Sequence, residues 1–269
     1  MHTHSKPFYI ALSYPCHFAF EKLASMASPT PTKRTRTQSS AQEEDYGHLE
    51  SWFNGEAQQM QEYIHTFSRK NLIVPKFLSM AWLKEEQLEE IRVIINHQKL
   101  KKFLELSGCI YPDLVKVFYT NLTIDGENMN SHVKGVDIEI TPKVWFVVAG
   151  LRYEGQQIEK RVLDDFNKTV FYKACMRYPG EDVKSFGVGK LAMTPRILNL
   201  LIVWMLTPRG NNHATLTEDD LMLLYCLINK VKVNWVHTMM EHMMKEKKLN
   251  DYKLPYAILI SRMLEFFEA

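Results

Sequence analysis

The spacing of apolar residues changes along this chain, and each change marks an element. In "EEQLEEIRVIINHQKLKKFLELSG" (85–108), Leu88, Ile91 and Ile95, then Leu100, Phe103 and Leu104, fall at helical spacing. This predicts one helix that Gly108 stops. "YPDLVKVFYTNL" (111–122) sets Leu114, Val117, Phe118 and Leu122 on one stripe behind Pro112, an amphipathic helix facing a core. In "VKGVDIEITP" (133–142) the period becomes two, with Val136, Ile138 and Ile140 on one face and Asp137 and Glu139 on the other. That predicts a strand of a small hairpin whose partner lies in 122–124 or 131–133.

Three Thr-Pro pairs punctuate the rest of the chain. Thr141-Pro142 and Thr194-Pro195 each read as a cap and a first helical residue, opening "KVWFVVAG" and "RILNLLIVWML". At Thr207-Pro208 the proline closes the preceding helix and "RGNN" turns. Thr217 with Asp220 resembles a capping box before "LMLLYCLINK". "VNWVHTMMEHMMKEKK" and "PYAILISRMLEFF" carry the helical pattern onward, the Met-rich part as a core-facing stripe and "KEKK" as a solvated helix end. The predicted fold class is α+β, predominantly helical with one small β-hairpin. Residues 49–269 read as one domain. Residues 1–48 read as a disordered or poorly ordered N-terminal extension, because "ASPTPTKRTRTQSSAQEED" is polar and rich in Pro, Ser and Thr; the first 25 read as an upstream addition of small structural role.

A hydrophobic fraction of 46% and a charged fraction of 24% fit a globular chain, and 33 Lys plus Arg against 31 Asp plus Glu leave a net charge of only +2. That balance removes the global pull of a dedicated nucleic-acid coat but leaves room for local basic patches. No apolar run reaches the length needed to span a bilayer, and Pro15 and His17 interrupt the first. Cys16, Cys109, Cys175 and Cys226 are widely spaced without a C-x-x-C pair, and are expected as buried free thiols. An intracellular protein of the nucleus or cytoplasm is expected.

Each chemical motif fails its spacing test. Around Gly189-Lys190, the first glycine of a phosphate loop would fall on Lys184 and its hydroxyl on Leu191. His237 and His242 are five apart, so a helix separates them by roughly 140°; two polar-face histidines are expected instead of a metal pair. Cys226 lies in "LLYCLI", where a thiol is inert. Asp137 could open a set of metal-holding carboxylates, but a mostly helical chain offers no strand-rich layer to hold the others, and Asp137 with Glu139 reads as a solvated strand face. Asn121 and Asn167 begin formal glycosylation sequons that matter only on a secretory route.

"YPDLVKVFYTNL", "VKGVDIEITPKVWFVVAGL", "LTPRGNNHATLTEDDLMLLYCLINKVKVNW" and "LPYAILISRML", in that order, resemble the plant transposon protein domain family. That family is found beside Athila-type and other Ty3-like retrotransposons, where related reading frames are called envelope-like. The resemblance spans about residues 65 to 269. It implies a transposable-element origin, brings no catalytic residue with it, and suggests that a further C-terminal region is absent here.

The expectation is therefore a non-enzymatic, element-derived interaction module without cofactor, metal, membrane span or small-molecule substrate. Its partner would be an element-encoded protein or a nucleic acid. The alternatives are an accessory DNA-binding or transposition protein and an envelope-like protein. Candidate nucleic-acid contacts are Lys33, Arg34 and Arg36 of "KRTR", which also reads as a nuclear-import patch, together with Arg209, Lys245, Lys247 and Lys248.

Overall fold

The computed structural model describes residues 51–53, 57–158 and 166–269. The N-terminal extension, Cys16, Lys33, Arg34 and Arg36 lie outside the described residues. The elements are α1 (Ala57–Glu62) running into a π turn (Tyr63–Phe67), α2 (Met80–Glu85), α3 (Glu89–His97), α4 (Lys101–Leu104), α5 (Pro112–Asn121), β1 (Thr123–Asp125), β2 (Asn128–Val133), β3 (Val136–Ile140) and α6 (Pro142–Ala149). After them come α7 (Lys168–Cys175), a 3₁₀ turn (Val188–Lys190), α8 (Met193–Leu201) continuing as a π turn (Ile202–Leu206), α9 (Glu218–Ile228), α10 (Trp235–Lys248) and α11 (Ala257–Phe266). The chain is thus α+β and mostly helical, with a three-stranded antiparallel sheet in place of the single hairpin. Both candidate partner segments contribute strands: Thr123 pairs with Asn130, and Ser131 with Ile138.

Local chemistry sets most element boundaries. Pro142 opens α6 as expected, although the Thr141 hydroxyl makes no cap bond. The Thr217–Asp220 box forms in both directions: the Thr217 N–H donates to Asp220 Oδ2 at 2.7 Å, and the Asp220 N–H to Thr217 Oγ1 at 3.2 Å. Helix α8 starts earlier than Thr194-Pro195 suggests, with Ala192 as its cap residue. Pro195 then sits inside the first turn, where its missing N–H has no intrahelical partner to lose, and the Thr194 hydroxyl donates to Glu90 at 2.8 Å.

The single helix expected over 88–108 is broken into α3 and α4. Lys99 takes a left-handed φ of 57°, and the reason is tertiary. The buried Gln98 amide donates to Val231 O (2.7 Å) and accepts from the Val233 N–H and from Trp235 Nε1–H (both 3.2 Å). The five-residue step from Ile95 to Leu100 is the trace of this break in the sequence.

One core runs through the molecule, including Phe53, Phe67 and Leu83 ahead of α3, Tyr119 and Trp145 in its middle, and Met239, Met240 and Met243 on α10. The Met-rich stripe therefore faces inward, as its spacing predicts. The first and last parts of the domain are joined directly. Lys70 Nζ donates to Leu249 O (2.6 Å) and Glu246 O (3.3 Å) at the end of α10. The Ile73 N–H donates to Leu254 O, and the Leu254 N–H to Asn71 O, both at 2.9 Å.

Candidate nucleic-acid interface

The cations singled out in the C-terminal half divide into two inward and two outward. Arg209 is turned in: its guanidinium donates to Asp220 Oδ2 (2.8 Å) and Thr215 O (3.1 Å), tying the turn after the π segment to the capping box of α9. Within "KEKK", the expectation of a fully solvated helix end fails. Glu246 is buried, and Lys247 Nζ donates to Thr120 O and Leu122 O (both 2.9 Å), closing the C-terminal end of α5. Burial lowers the affinity of Lys247 and Lys70 for their protons and raises that of Glu246. Lys245 and Lys248 are exposed, Lys245 with Asp219 at 3.9 Å.

The other motif residues also have structural surroundings. Gly187–Leu191 is a tight turn whose amides are used within the chain: Val188 N–H donates to Ala214 O (2.9 Å), and Arg196 donates to Leu191 O (2.9 Å). His242 is not on a polar face. Its ring meets that of Tyr256 edge-on at 5.7 Å, its Nε2 is 2.9 Å from Pro208 O, and burial lowers its pKa to about 4. His237 lies instead beside Tyr153. Cys175 and Cys226 are buried, with burial pushing both thiols up to about 11, whereas Cys109 is exposed, contrary to expectation. Asn167 caps α7 by accepting from the Thr169 and Val170 N–H groups, and Asn121 donates to His132 O at 2.6 Å.

A basic face that the sequence reading missed is built where α3 breaks. The left-handed turn at Lys99 and the short α4 leave Lys99, Lys101 and Lys102 exposed in succession, while Leu100, Phe103 and Leu104 go into the core. Two glycines bring other cations to the same place. Gly150 ends α6 at φ 72°, and a side chain there would sit 2.8 Å from Lys102 Cβ, so the α6 end and the Lys102 stem touch. Lys102 Nζ donates to Val147 O. Gly155, at φ 107°, lies against the backbone of residues 232–234, where any Cβ would be 2.8 Å from the Val233 carbonyl carbon. The Gln156 N–H donates to Lys232 O (2.8 Å), and the Asn234 N–H to Gln156 O (2.9 Å). The loop that carries Arg152 and Glu154 is thereby fastened beside Lys232.

Two clefts sharing Lys99 connect these residues. One is lined by Lys99, Arg152, Glu154 and Lys232, the other by Lys99, Lys101, Lys102, Glu105 and Arg262. Lys99 bonds Glu154 Oε1 at 2.9 Å, and Arg262 pairs with Glu265. Among the described residues, Lys101, Lys102, Arg152 and Lys232 are in no ion pair. The hydrogen bond from Lys99, with help from the charges of Lys232 and Arg152, holds the Glu154 carboxyl below the usual range. Glu105 is partly withdrawn, accepting from the Met80 N–H at 3.0 Å. The face is therefore net positive on a nearly neutral protein.

Residues 96–268 match the family described as "Putative plant retrotransposon-related domain", which takes in α4 to α11, the sheet and this basic face. The chain belongs to that family. The plant retrotransposon-related family supports a transposable-element origin, in line with the resemblance noted in the sequence. No curated protein and no solved structure matches the chain. Among the described residues no helix is long and apolar enough to cross a membrane.

Proposed function

We propose that this chain is a non-enzymatic, element-derived interaction module that binds nucleic acid through the face made by Lys99, Lys101, Lys102, Arg152, Lys232 and Arg262. The observation that supports it is their exposed convergence from four separate segments, with Lys101, Lys102, Arg152 and Lys232 in no ion pair among the described residues; Lys102 also donates to Val147 O, and Arg262 to Ser107 O and Glu265. Phosphate neutralisation by such a set releases counterions and gives salt-dependent binding. An accessory DNA-binding role that used Arg209 and Lys247 has less support, because both heads are engaged inside the fold. The envelope-like alternative is not favoured by Asn121, whose amide is half-buried and bonded.

The test is a salt series on the full chain, comparing it with a Lys101→Glu/Lys232→Glu variant. The expected result is weaker binding and a log–log salt slope shallower by roughly 1.4 to 1.8, about 0.7 to 0.9 for each lost phosphate contact. Unchanged affinity and slope in the variant would remove this face from the reading. A second reading, docking of an element-encoded protein, is supported by a cleft lined by Val170, Phe171, Pro195, Tyr225 and Ile228, where Val170 is 65% exposed. It becomes the leading one if the full chain binds no nucleic acid at low salt.

A further inference from the structure

The basic face is bordered by exposed aromatic rings. Phe146 on α6 is 48% exposed and carries the Arg152 guanidinium over its ring at 4.9 Å. Lys143, also exposed, lies three residues earlier on the same helix, and Val147, the next residue, accepts from Lys102. Helix α6 packs on α11, where Arg262 and Phe266 are four residues apart and so share a side. Phe266 is 49% exposed, and Tyr111 is 39% exposed with its hydroxyl donating to Glu265 at 3.1 Å. Phe266 meets the Phe267 ring at 5.2 Å, and both Phe266 and Tyr111 lie beside Arg262, which is paired with Glu265. Phe146 is the ring set against a cation, Arg152, that is in no ion pair among the described residues.

Duplex DNA offers its phosphates to such a surface but keeps its bases stacked on each other. A single strand offers both phosphates and free base faces. Base–aromatic stacking is worth about 1–3 kcal/mol per base and tolerates any sequence. With Arg152 steadying Phe146, the ring is held ready for a base on its open surface while the guanidinium reaches a neighbouring phosphate. We infer that the ligand class of this face is single-stranded nucleic acid, with Phe146 as its stacking platform. The inference rests on the nucleic-acid reading above and narrows it.

Full-length protein is titrated with a labelled oligo(dT) strand and with a duplex of equal length, at several salt concentrations, for the wild type, Phe146→Ala and Phe146→Trp. The expected outcome is tighter binding of the single strand. Phe146→Ala should weaken it by roughly 5- to 150-fold with the salt slope unchanged, and Phe146→Trp should retain it. Circular dichroism of each variant shows whether the fold is intact; the half-exposed position makes that the expectation. If wild type binds both ligands with a salt slope but Phe146→Ala binds the strand as wild type does, stacking is overturned and the electrostatic reading stands. Equal weakening for strand and duplex overturns the single-strand preference in the same way. If wild type binds neither ligand at low salt, the nucleic-acid reading itself fails and this inference falls with it.

Discussion

Two lysine-rich stretches of nearly the same composition meet opposite fates. "KEKK" at 245–248 ends a 14-residue helix, and "KLKK" at 99–102 spans a helix break. In the first, the helix continues through the segment, so two of its four positions are carried toward neighbouring elements: Glu246 is buried and Lys247 is bonded to the α5 terminus. In the second, the left-handed residue resets the direction of the chain, and three ammonium groups emerge while the intervening leucine is buried. Composition shows how much charge a stretch has. Helix phase and its interruptions decide whether that charge is available to a ligand.

The inward cations can be broken by substitution with little effect on the outward ones. The largest effect is expected for Asp220→Ala, which leaves the mostly buried Arg209 charge without its carboxylate and removes a cap. A loss of about 3–5 kcal/mol in urea unfolding is expected. Lys247→Met keeps the side-chain stem but leaves Thr120 O and Leu122 O without their donor, and about 2–4 kcal/mol should be lost.

The third break is through pH. His242 stands between the Pro208 carbonyl, the Lys245, Arg209 and Asp220 charges, and the Tyr256 ring. Its folded pKa of about 4 lies below the ordinary 6.5, so below pH 6.5 the unfolded chain takes up the proton first. The stability this group supplies is complete above about pH 6.5 and is lost as pH falls toward 4, by roughly 3 kcal/mol. Glu246 works the other way, because its raised pKa lets the folded state bind a proton sooner. Comparing wild type with His242→Gln in unfolding series at pH 7 and pH 4.5 isolates the histidine; the variant should show the smaller loss. Smallest of all is Lys101→Met, expected to change stability by less than about 0.5 kcal/mol while weakening salt-dependent binding. A destabilisation equal to that of Lys247→Met would erase the contrast between the two stretches.

Local rules made a good part of this legible. Alternation along 136–140 places the inward face of β3 correctly, Pro112 and Pro142 open their helices, and the Thr217–Asp220 box closes both of its bonds. Misreadings occur where distant residues decide. The helix ends at Gln98, whose amide is bonded to Val231, Val233 and Trp235, more than 130 positions away. The inward turn of Arg209 required knowing that Asp220 would face it. The basic face was hidden for the same reason, since Arg152, Lys232 and Arg262 join the lysines of 99–102 only after the loops at Gly150 and Gly155 are folded. The apolar step from Ile95 to Leu100 was the one signal in the sequence pointing there.

The stitching of residues 70–73 to residues 249–254 has a consequence for the order in which the protein matures. Those bonds join positions about 180 apart in the chain, and ordering so long a loop is entropically costly until other contacts have shortened it. A ribosome must therefore release nearly the whole domain before Lys70 can meet the end of α10. Until then, the Lys70 ammonium lacks its carbonyl acceptors, and residues 71 and 73 lack their partner backbone. The segment that follows α10 thus completes the packing of a segment made about 180 residues before it.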